Sequence, residues 1–480
     1  MRRCLTLLAL ALAQLAPGSM LSAQQVHSVV STADLRQVMV AGPPLSFGKG
    51  GASIEGAIIE VDETQRFQTI DGFGASVTDS AAYLIQQKLT PVAREQVLRM
   101  LFSPAHGMGL SFLRQPIGSE DLSRHHFTFD DMPKGQTDPT LARFATPVEQ
   151  ADIFATVRAA RRLDPQLTVM TTPWSPPAWM KTGDTMDGGE LLPAYEPVYA
   201  RYLARVLQSF AAADIPVRYI TVQNEPLNDL KVMASAGMNA AQQARFIGLY
   251  LGPELRRAGL PTRILAFDHS WTHLEYPLAV VADPAAGPFV AGTALHCYEG
   301  EASAQTVIHD AAPEKGIWMT ECSGGTWDKE PPLIKTARVL IESTRNWAKA
   351  VVLWGVALDQ NRGPYDGGCD TCRPLVTIDV GKSPATATYT GDLYGLGHAS
   401  RYVRPGAVRI GSTGTGHDGV QSVAFQNVDG TIALLVMNTG QSTSRTTIPW
   451  HGKRATVTLP PSAVATYTWA ARPSAQRAAQ

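Results

Sequence analysis

At 480 residues the chain is long enough to bury one large core and to hold two domains. Hydrophobic residues at 44% and charged residues at 17% describe a soluble globular protein and exclude a disordered one. A formal net charge of −1 carries no basic surplus, which argues against nucleic acid as the main partner.

Residues 1–23 read as a secretory signal peptide. Arg2 and Arg3 precede a short apolar stretch, Leu5 to Leu15, and Leu21-Ser22-Ala23 offers small residues at the cleavage positions. Cys4 lies before the apolar stretch, not where a lipidated cysteine would sit. The expectation is an exported protein, periplasmic or secreted. No later run is long and apolar enough to span a bilayer, so no transmembrane segment is expected.

Residues 24–66 carry the strand-like runs VHSVVSTADL and ASIEGAIIEVD. From 67 to 393 the pattern changes to strands alternating with helices. The strand candidates are 67–77, 110–119, 167–175, 218–226, 262–270, 291–300, 316–325 and 350–359, each a short apolar or β-branched run ending in polar, Gly or Pro residues. Between them TPVAREQVLRMLF starts from a Thr cap followed by Pro. The segments 147–163, 196–213, 240–260 and 333–346 show apolar stripes at helical spacing. Eight such strands predict an α/β fold, a (β/α)8 TIM barrel. A doubly wound open sheet would cluster ligand groups near one switch point. Here polar and aromatic groups end nearly all eight strands, which favours the barrel. Residues 394–470 return to short alternating strands with Gly and Asn turns, and with 24–66 they predict an attached β-sandwich built from both ends of the chain. Residues 471–480 read as a loose tail.

Beyond the signal four cysteines remain: Cys297, Cys322, Cys369 and Cys372. Export permits disulfides. The Cys369-x2-Cys372 spacing fits a small disulfide loop, a redox pair or half a zinc site. A second CxxC is missing, which weakens zinc, and the compartment favours a local disulfide in what reads as a surface loop, GPYDGGCDTCRP.

Two glutamates share one setting. Glu225 ends the fourth strand in RYITVQNEP, after Asn224 and before Pro226, and Glu321 ends the seventh in GIWMTECSGG. A carboxylate at the carboxyl end of a barrel strand faces the open mouth. Two of them, about 5–5.5 Å apart, can flank a glycosidic bond as acid/base and nucleophile of a retaining hydrolysis that needs no cofactor. One such glutamate alone would read as a helix cap or an ion-pair partner; two in matching positions point to catalysis. Glu225, as the acid, is expected to carry the raised pKa, kept protonated by the charge on Glu321.

Other strand ends supply sugar-type neighbours. Asn224 is placed to bond a sugar 2-hydroxyl. Trp174 and Trp354 end the third and eighth strands, where aromatic faces stack on pyranose rings. Trp318 precedes its turn and reads as core, and Trp179 as either core or pocket wall. Asp121, after the second strand, suits two adjacent hydroxyls; Arg114 either orients a catalytic carboxylate or forms a structural ion pair. Tyr298, at the end of the sixth strand, is placed to donate to the nucleophile, whereas a lone histidine such as His296 is more often a satisfied core residue. Asp268, His269 and His273 in AFDHSWTH have metal-like spacing only on a regular helix, and this segment reads as a strand end and loop, so no metal is expected. Asp79 reads as a helix cap. DGFGAS lacks the third glycine and the lysine of a phosphate loop, and no GxSxG elbow is present.

The segments IDGFGASVTDSAA, LRQPIGSEDLS, TTPWSPPAWMK, TVQNEP, LHCY, TECSGG and LWGVALD resemble glycoside hydrolase family 30, the glucosylceramidases and related β-glycanases. TVQNEP together with TECSGG at this separation is a specific signal, and the resemblance covers most of the chain after the signal peptide. It implies a (β/α)8 barrel with an attached β-sandwich, retention of configuration, Glu225 as acid/base and Glu321 as nucleophile. By the same matching Asp121, Trp174, Asn224 and Trp354 would line the site of the non-reducing glucose, and Arg114, His296 and Tyr298 would support the catalytic pair. GGCDTCRPLVTID is similar to a loop of bacterial members and of β-1,6-glucanases; the lysosomal-type enzymes lack that cysteine pair. Gly355 follows Trp354 where many members carry Asn, so one polar contact is expected to be missing. The reading is a glucosylceramidase-like retaining β-glucosidase whose partner is a β-glucoside, either glycolipid or β-glucan. The alternative is an endo-β-1,6-glucanase with the same chemistry, which the CRPLVTID loop favours. The remote alternative, a sugar-binding protein without catalysis, is opposed by the presence of both glutamates.

Overall fold

A ring of eight parallel strands forms where the sequence places it: Gly72–Ser76, Phe112–Ile117, Thr168–Pro173, Tyr219–Thr221, Arg263–Trp271, Val290–Gly300, Gly316–Glu321 and Ala348–Leu353. The ring closes between the eighth and first strands, with Ala350 opposite Gly72 and Leu353 opposite Ala75. The first strand needs its glycines for close approach, since a Cβ at Gly74 would lie 1.6 Å from the Phe112 carbonyl oxygen next door. The computed structural model describes residues 24–48, 57–413 and 419–471, so the signal segment 1–23 and all but the first residue of the expected tail lie outside the described residues.

Helices cover the outside of the ring. Pro91–Phe102 starts from Thr90, whose hydroxyl accepts from the Ala93 N–H, with Pro91 at the first helical position where no N–H is needed. Gln150–Leu163, Glu196–Ala212 and Pro332–Arg345 follow the predicted stripes. The stripe over 240–260 is interrupted: a π-turn, Ile247–Leu251, separates Ala240–Phe246 from Gly252–Arg257. It falls just before Pro253, which has no N–H to give to the preceding turn. Two shorter helices, Glu275–Ala282 and Ala304–Ala311, carry too few turns for a stripe to reveal them. Thr78, not Asp79, caps the helix Asp79–Tyr83; its hydroxyl accepts from the Ala81 N–H, while the Asp79 carboxylate is taken by Arg124.

Both ends of the chain build the sandwich. Its larger sheet runs Val40–Ala41, Gln24–Thr32, Ala463–Ala470, Thr431–Asn438, Val420–Gln426, Val408–Ser412 and Val61–Thr69. Lys453–Leu459, Ser444–Trp450 and Ala57–Ile58 form the smaller sheet. Alternate side chains such as Phe47, Ile410, Trp450 and Trp469 fill the space between them. The other face of the larger sheet packs on the barrel, where Phe425 meets Phe73 edge-on at 6.4 Å. His398, on the helix Gly391–Ser400 that leads out of the barrel, is buried against Ser31 and Thr466 from the two ends of the chain. No helix among the described residues is long and apolar enough to cross a membrane.

Candidate active site

The carboxyl ends of the barrel strands surround a cavity of about 420 Å³. The fourth strand is regular only over Tyr219–Thr221, shorter than the sequence predicts. Beyond it the backbone still bonds to both neighbouring strands: the Asn224 N–H donates to the Pro173 carbonyl at 2.8 Å and the Glu225 N–H to the Asp268 carbonyl at 2.9 Å. Glu225 has φ +43°, a left-handed conformation that costs a non-glycine residue about 1–3 kcal/mol and is held only by a surrounding framework. Phe267 and Asp268 are also left-handed, at φ +75° and +69°, and the register of the fifth strand shifts between Phe267 and His269. That break leaves the Asp268 side chain wholly buried beneath the cavity.

Arg114, also wholly buried, is the cation at the centre. Its Nη2 donates to Asn224 Oδ1 at 2.7 Å and to Asp268 Oδ2 at 2.9 Å, and its Nη1 bonds Glu321. Asp268 also accepts from the hydroxyls of Thr221 and Thr320, each at 2.7 Å. His296 bridges two carboxylates, with Nε2 at 3.0 Å from Asp268 and Nδ1 at 3.0 Å from Glu225. Burial opposes charge on this imidazole, but Glu321, Asp268 and Glu225 prevail and push its pKa up to about 9. It is therefore an imidazolium that donates from both nitrogens. Asp268 is the mirror case: burial alone would raise it, but the Arg114 charge and His296 hold it far below the usual carboxylate range.

Glu225 does not carry the raised pKa that its expected role suggested. Burial pushes it up, but the His296 bond and charge outweigh burial, with help from the Asn228 amide donating at 2.7 Å, and hold it below its ordinary value. Among the carboxyls lining the cavity it is Asp121 that is pushed up, to about 7, by burial and by the charges of Glu321 and Glu225. Glu321 is gripped on both oxygens, by Arg114 on one and by the Tyr298 hydroxyl on the other at 2.6 Å. Oxygens of Glu225 and Glu321 come within 4.8 Å of each other, close to the carboxyl spacing of a double displacement. His296 lies within the same distance, its two ring nitrogens engaged by Glu225 and Asp268.

The walls are aromatic and cross-linked. Trp174 and Trp354 stack with centroids 5.0 Å apart, and the Arg114 guanidinium lies 4.7 Å from the Trp174 ring. Gly355 has φ +75°, a conformation that Gly and Asn both tolerate, so the backbone here is one an Asn would also accept. Cys369 and Cys372 are joined, as expected, in a loop that is partly at the surface, with Tyr365 44% exposed, and partly built into the site. It forms the wall behind Asp121: a Cβ at Gly368 would lie 2.0 Å from Asp121 Cβ, and the Asp366 N–H donates to the Asp121 carbonyl at 3.2 Å. A second disulfide, Cys297–Cys322, ties the ends of the sixth and seventh strands, with Cα atoms 5.2 Å apart. It sits between His296 and Tyr298 on one strand and directly after Glu321 on the other.

Asp121, Trp174, Asn224, Glu225, Tyr298, Glu321 and Trp354 thus line one cavity, and Arg114 and His296 lie beneath it. Trp318 is core, its indole N–H on Asp71, and Trp179 is buried with its N–H on the Asp130 carbonyl at 3.0 Å. Asp268, whose sequence setting suggests only a weak metal motif, is the hub joining Arg114 to His296. An acid at the end of an apolar strand was the available signal, the same one that marks Glu225 and Glu321. His269 lines the cavity too; its Nδ1 accepts from the Ser270 N–H and its buried Nε2 has no hydrogen-bond partner among the described residues.

A closely spaced carboxylate pair at the mouth of a barrel, walled by indoles, is the machinery of a glycoside hydrolase. The chain belongs to glycosyl hydrolase family 30: the TIM-barrel domain model of that family matches residues 70–403 and its β-sandwich domain model matches residues 406–467. The chain is 35% identical over 436 residues to the endo-1,6-β-D-glucanase of Neurospora crassa, covering 86% of this chain and 88% of the relative. It is 30% identical over 408 residues to putative glucosylceramidase 4 of Caenorhabditis elegans, covering 79% and 76%. Among solved structures, the endo-β1,6-glucanase BT3312 matches with a TM-score of 0.85 and 32% identity, over 93% of this chain and 99% of that one.

Proposed function

We propose that this glycoside hydrolase is an exported endo-β-1,6-glucanase that cleaves with retention of configuration. The observation that carries the linkage is the likeness across barrel and sandwich to two endo-1,6-β-glucanases, at 35% and 32% identity, above the 30% shared with the glucosylceramidase. The glucosylceramidase reading therefore takes second place. The Cys369–Cys372 loop, similar to that of β-1,6-glucanases, supports the same choice, and disulfides suit an exported protein.

In the first step Glu321 attacks the anomeric carbon. Arg114 and Tyr298 fix its oxygens, so the nucleophile reaches the near-attack position without searching for it. Glu225 protonates the departing oxygen, and in the second step it takes a proton from the water that releases the sugar. The His296 imidazolium favours the carboxylate form of Glu225, which suits the second step and makes protonation for the first step more demanding as pH rises. Asn224 spends its oxygen on Arg114, leaving its amide N–H groups for a sugar hydroxyl. Trp174 and Trp354 form the apolar wall for the ring, and Asp121, with its raised pKa, serves as donor or acceptor to a hydroxyl.

The test offers purified enzyme a β-1,6-glucan and glucosylceramide side by side and reads products by mass spectrometry. A ladder of β-1,6-linked oligosaccharides with the lipid untouched is the expected result. Free ceramide and glucose with no glucan products would overturn the proposal.

A further inference from the structure

The cavity has two unlike ends. Towards the second, third and eighth strands it is closed by Asp121, Trp174 and Trp354, which are 8%, 2% and 3% exposed. Towards the ends of the fourth, sixth and seventh strands and the loops that follow it opens, and among the polar side chains there three large ones stand exposed: Leu227 at 42%, Tyr298 at 40% and Trp327 at 48%. A glucose seated at the closed end with its anomeric carbon at Glu321 sends its leaving group out through the open end.

Trp327 is not exposed through looseness of its loop. Gly324 and Gly325 pair antiparallel with Arg373 and Cys372, and the Thr326 N–H donates to the Thr371 carbonyl at 3.1 Å. The following residue, Asp328, has a buried carboxylate that accepts from the Gly325 N–H at 3.1 Å, from Arg373 at 2.6 Å and from Lys335. The indole folds back over Gly325, where a Cβ would lie 2.1 Å from the ring, and the Lys335 ammonium stands 5.9 Å from its centroid. One side of the ring is thereby fixed against the loop, and about half of the residue is left facing solvent at the cavity rim.

We infer that Trp327 is the platform on which the first sugar beyond the cleaved bond stacks, and so a specificity-determining residue for a glucan leaving group. An indole face matches the C–H face of a hexose and is pre-organised here at no further cost in side-chain ordering. The inference rests on the glucanase reading above.

The test compares wild type, Trp327→Ala and Trp327→Phe on a β-1,6-linked gluco-oligosaccharide and on β-glucosyl fluoride, whose leaving group is a single atom. The expected result is a loss of kcat/KM for Trp327→Ala roughly tenfold greater on the oligosaccharide than on the fluoride, mostly through KM, with Trp327→Phe recovering much of it. Trp327→Leu, which keeps apolar bulk over Gly325 but offers no aromatic face, replaces Trp327→Ala if that variant melts early. Equal losses on the two substrates, or none on an oligosaccharide that wild type cleaves, overturn the role of Trp327 and leave the glucanase reading standing. A wild type that hydrolyses the fluoride and ignores the oligosaccharide overturns the glucanase reading, and the inference falls with it.

Discussion

Each end of the barrel buries a carboxylate, and the two are satisfied by different chemistry. At the amino-terminal end Asp71 accepts from the Tyr219 hydroxyl at 2.8 Å and the Trp318 indole N–H at 2.9 Å, both neutral donors, with Arg218 at 3.6 Å on the edge. Phe112, Met170, Leu265 and Val352 close the interior beside it. At the mouth Asp268 is held by two cations, Arg114 and His296, which pass the contact on to Glu321, Asn224 and Glu225. At Asp71 the donors at hydrogen-bond distance are neutral and the cation stands off at 3.6 Å, whereas at Asp268 both cations are at hydrogen-bond distance. At the mouth the cations reach on to further groups, and two positive charges stand among three carboxylates; burial first, and then the charges of Glu321 and Glu225, push the Asp121 pKa to about 7.

If this division is right, changes at the mouth act on rate and pH dependence. The largest effect belongs to Glu321→Ala, which should lower turnover on the order of 10⁵-fold while a single cooperative melt is retained. Wild-type initial rates in that variant would break the assignment. His296→Gln comes next, with kcat/KM falling by about 10²-fold. Because the imidazolium is what holds Glu225 low, removing it raises the Glu225 pKa, so its acid form persists further and the alkaline limb of kcat/KM moves to higher pH. A limb that stays in place in the pH–rate profile would show that His296 does not set Glu225. The same group links pH to stability in the wild type. Its folded pKa of about 9 lies above its ordinary 6.5, so its contribution is fully present below about 6.5 and is lost as pH rises through about 9. Melting temperature followed across that window should decline, and the decline should shrink in His296→Gln.

The barrel was legible because eight apolar runs carry β-branched residues and end in punctuation, a local signal that survives in one sequence. Glu225 and Glu321 were legible for the same reason, since a carboxylate ending an apolar strand is a local anomaly. What could not be read is non-local. The lowered Glu225 pKa depends on His296, 71 residues away, and on a left-handed turn at Glu225 that no residue type announces. Asp268 looked like part of a weak metal motif until the register break in its strand turned it inward to Arg114. Cys297 and Cys322 offer no spacing rule at a separation of 25, whereas Cys369 and Cys372 do. The polar, glycine-rich sequence of the disulfide loop marks it as surface, which much of it is, but does not tell that Gly368 lets its backbone press against Asp121.

The smallest effect sharpens the comparison from the other end. Tyr219→Phe removes one neutral donor from Asp71 and keeps the ring that fills the barrel interior. Losing a hydrogen bond to a buried carboxylate should cost about 1.5–3 kcal/mol of stability, read by denaturant unfolding. Because Asp71 lies at the opposite end of the barrel from the catalytic pair, kcat/KM should stay within about twofold of wild type. Tyr219 begins the fourth strand, and the backbone that continues from it carries Glu225, so the result is not trivial. If rate fell in step with stability, strain would be passing along the fourth strand from one pole to the other, and the two ends would have to be treated as one network. Combining Tyr219→Phe with Trp318→Phe then tells whether Asp71 can be re-satisfied by its remaining partner: a double variant less stable than the sum of the two singles would mean that each donor alone compensates in part for the other.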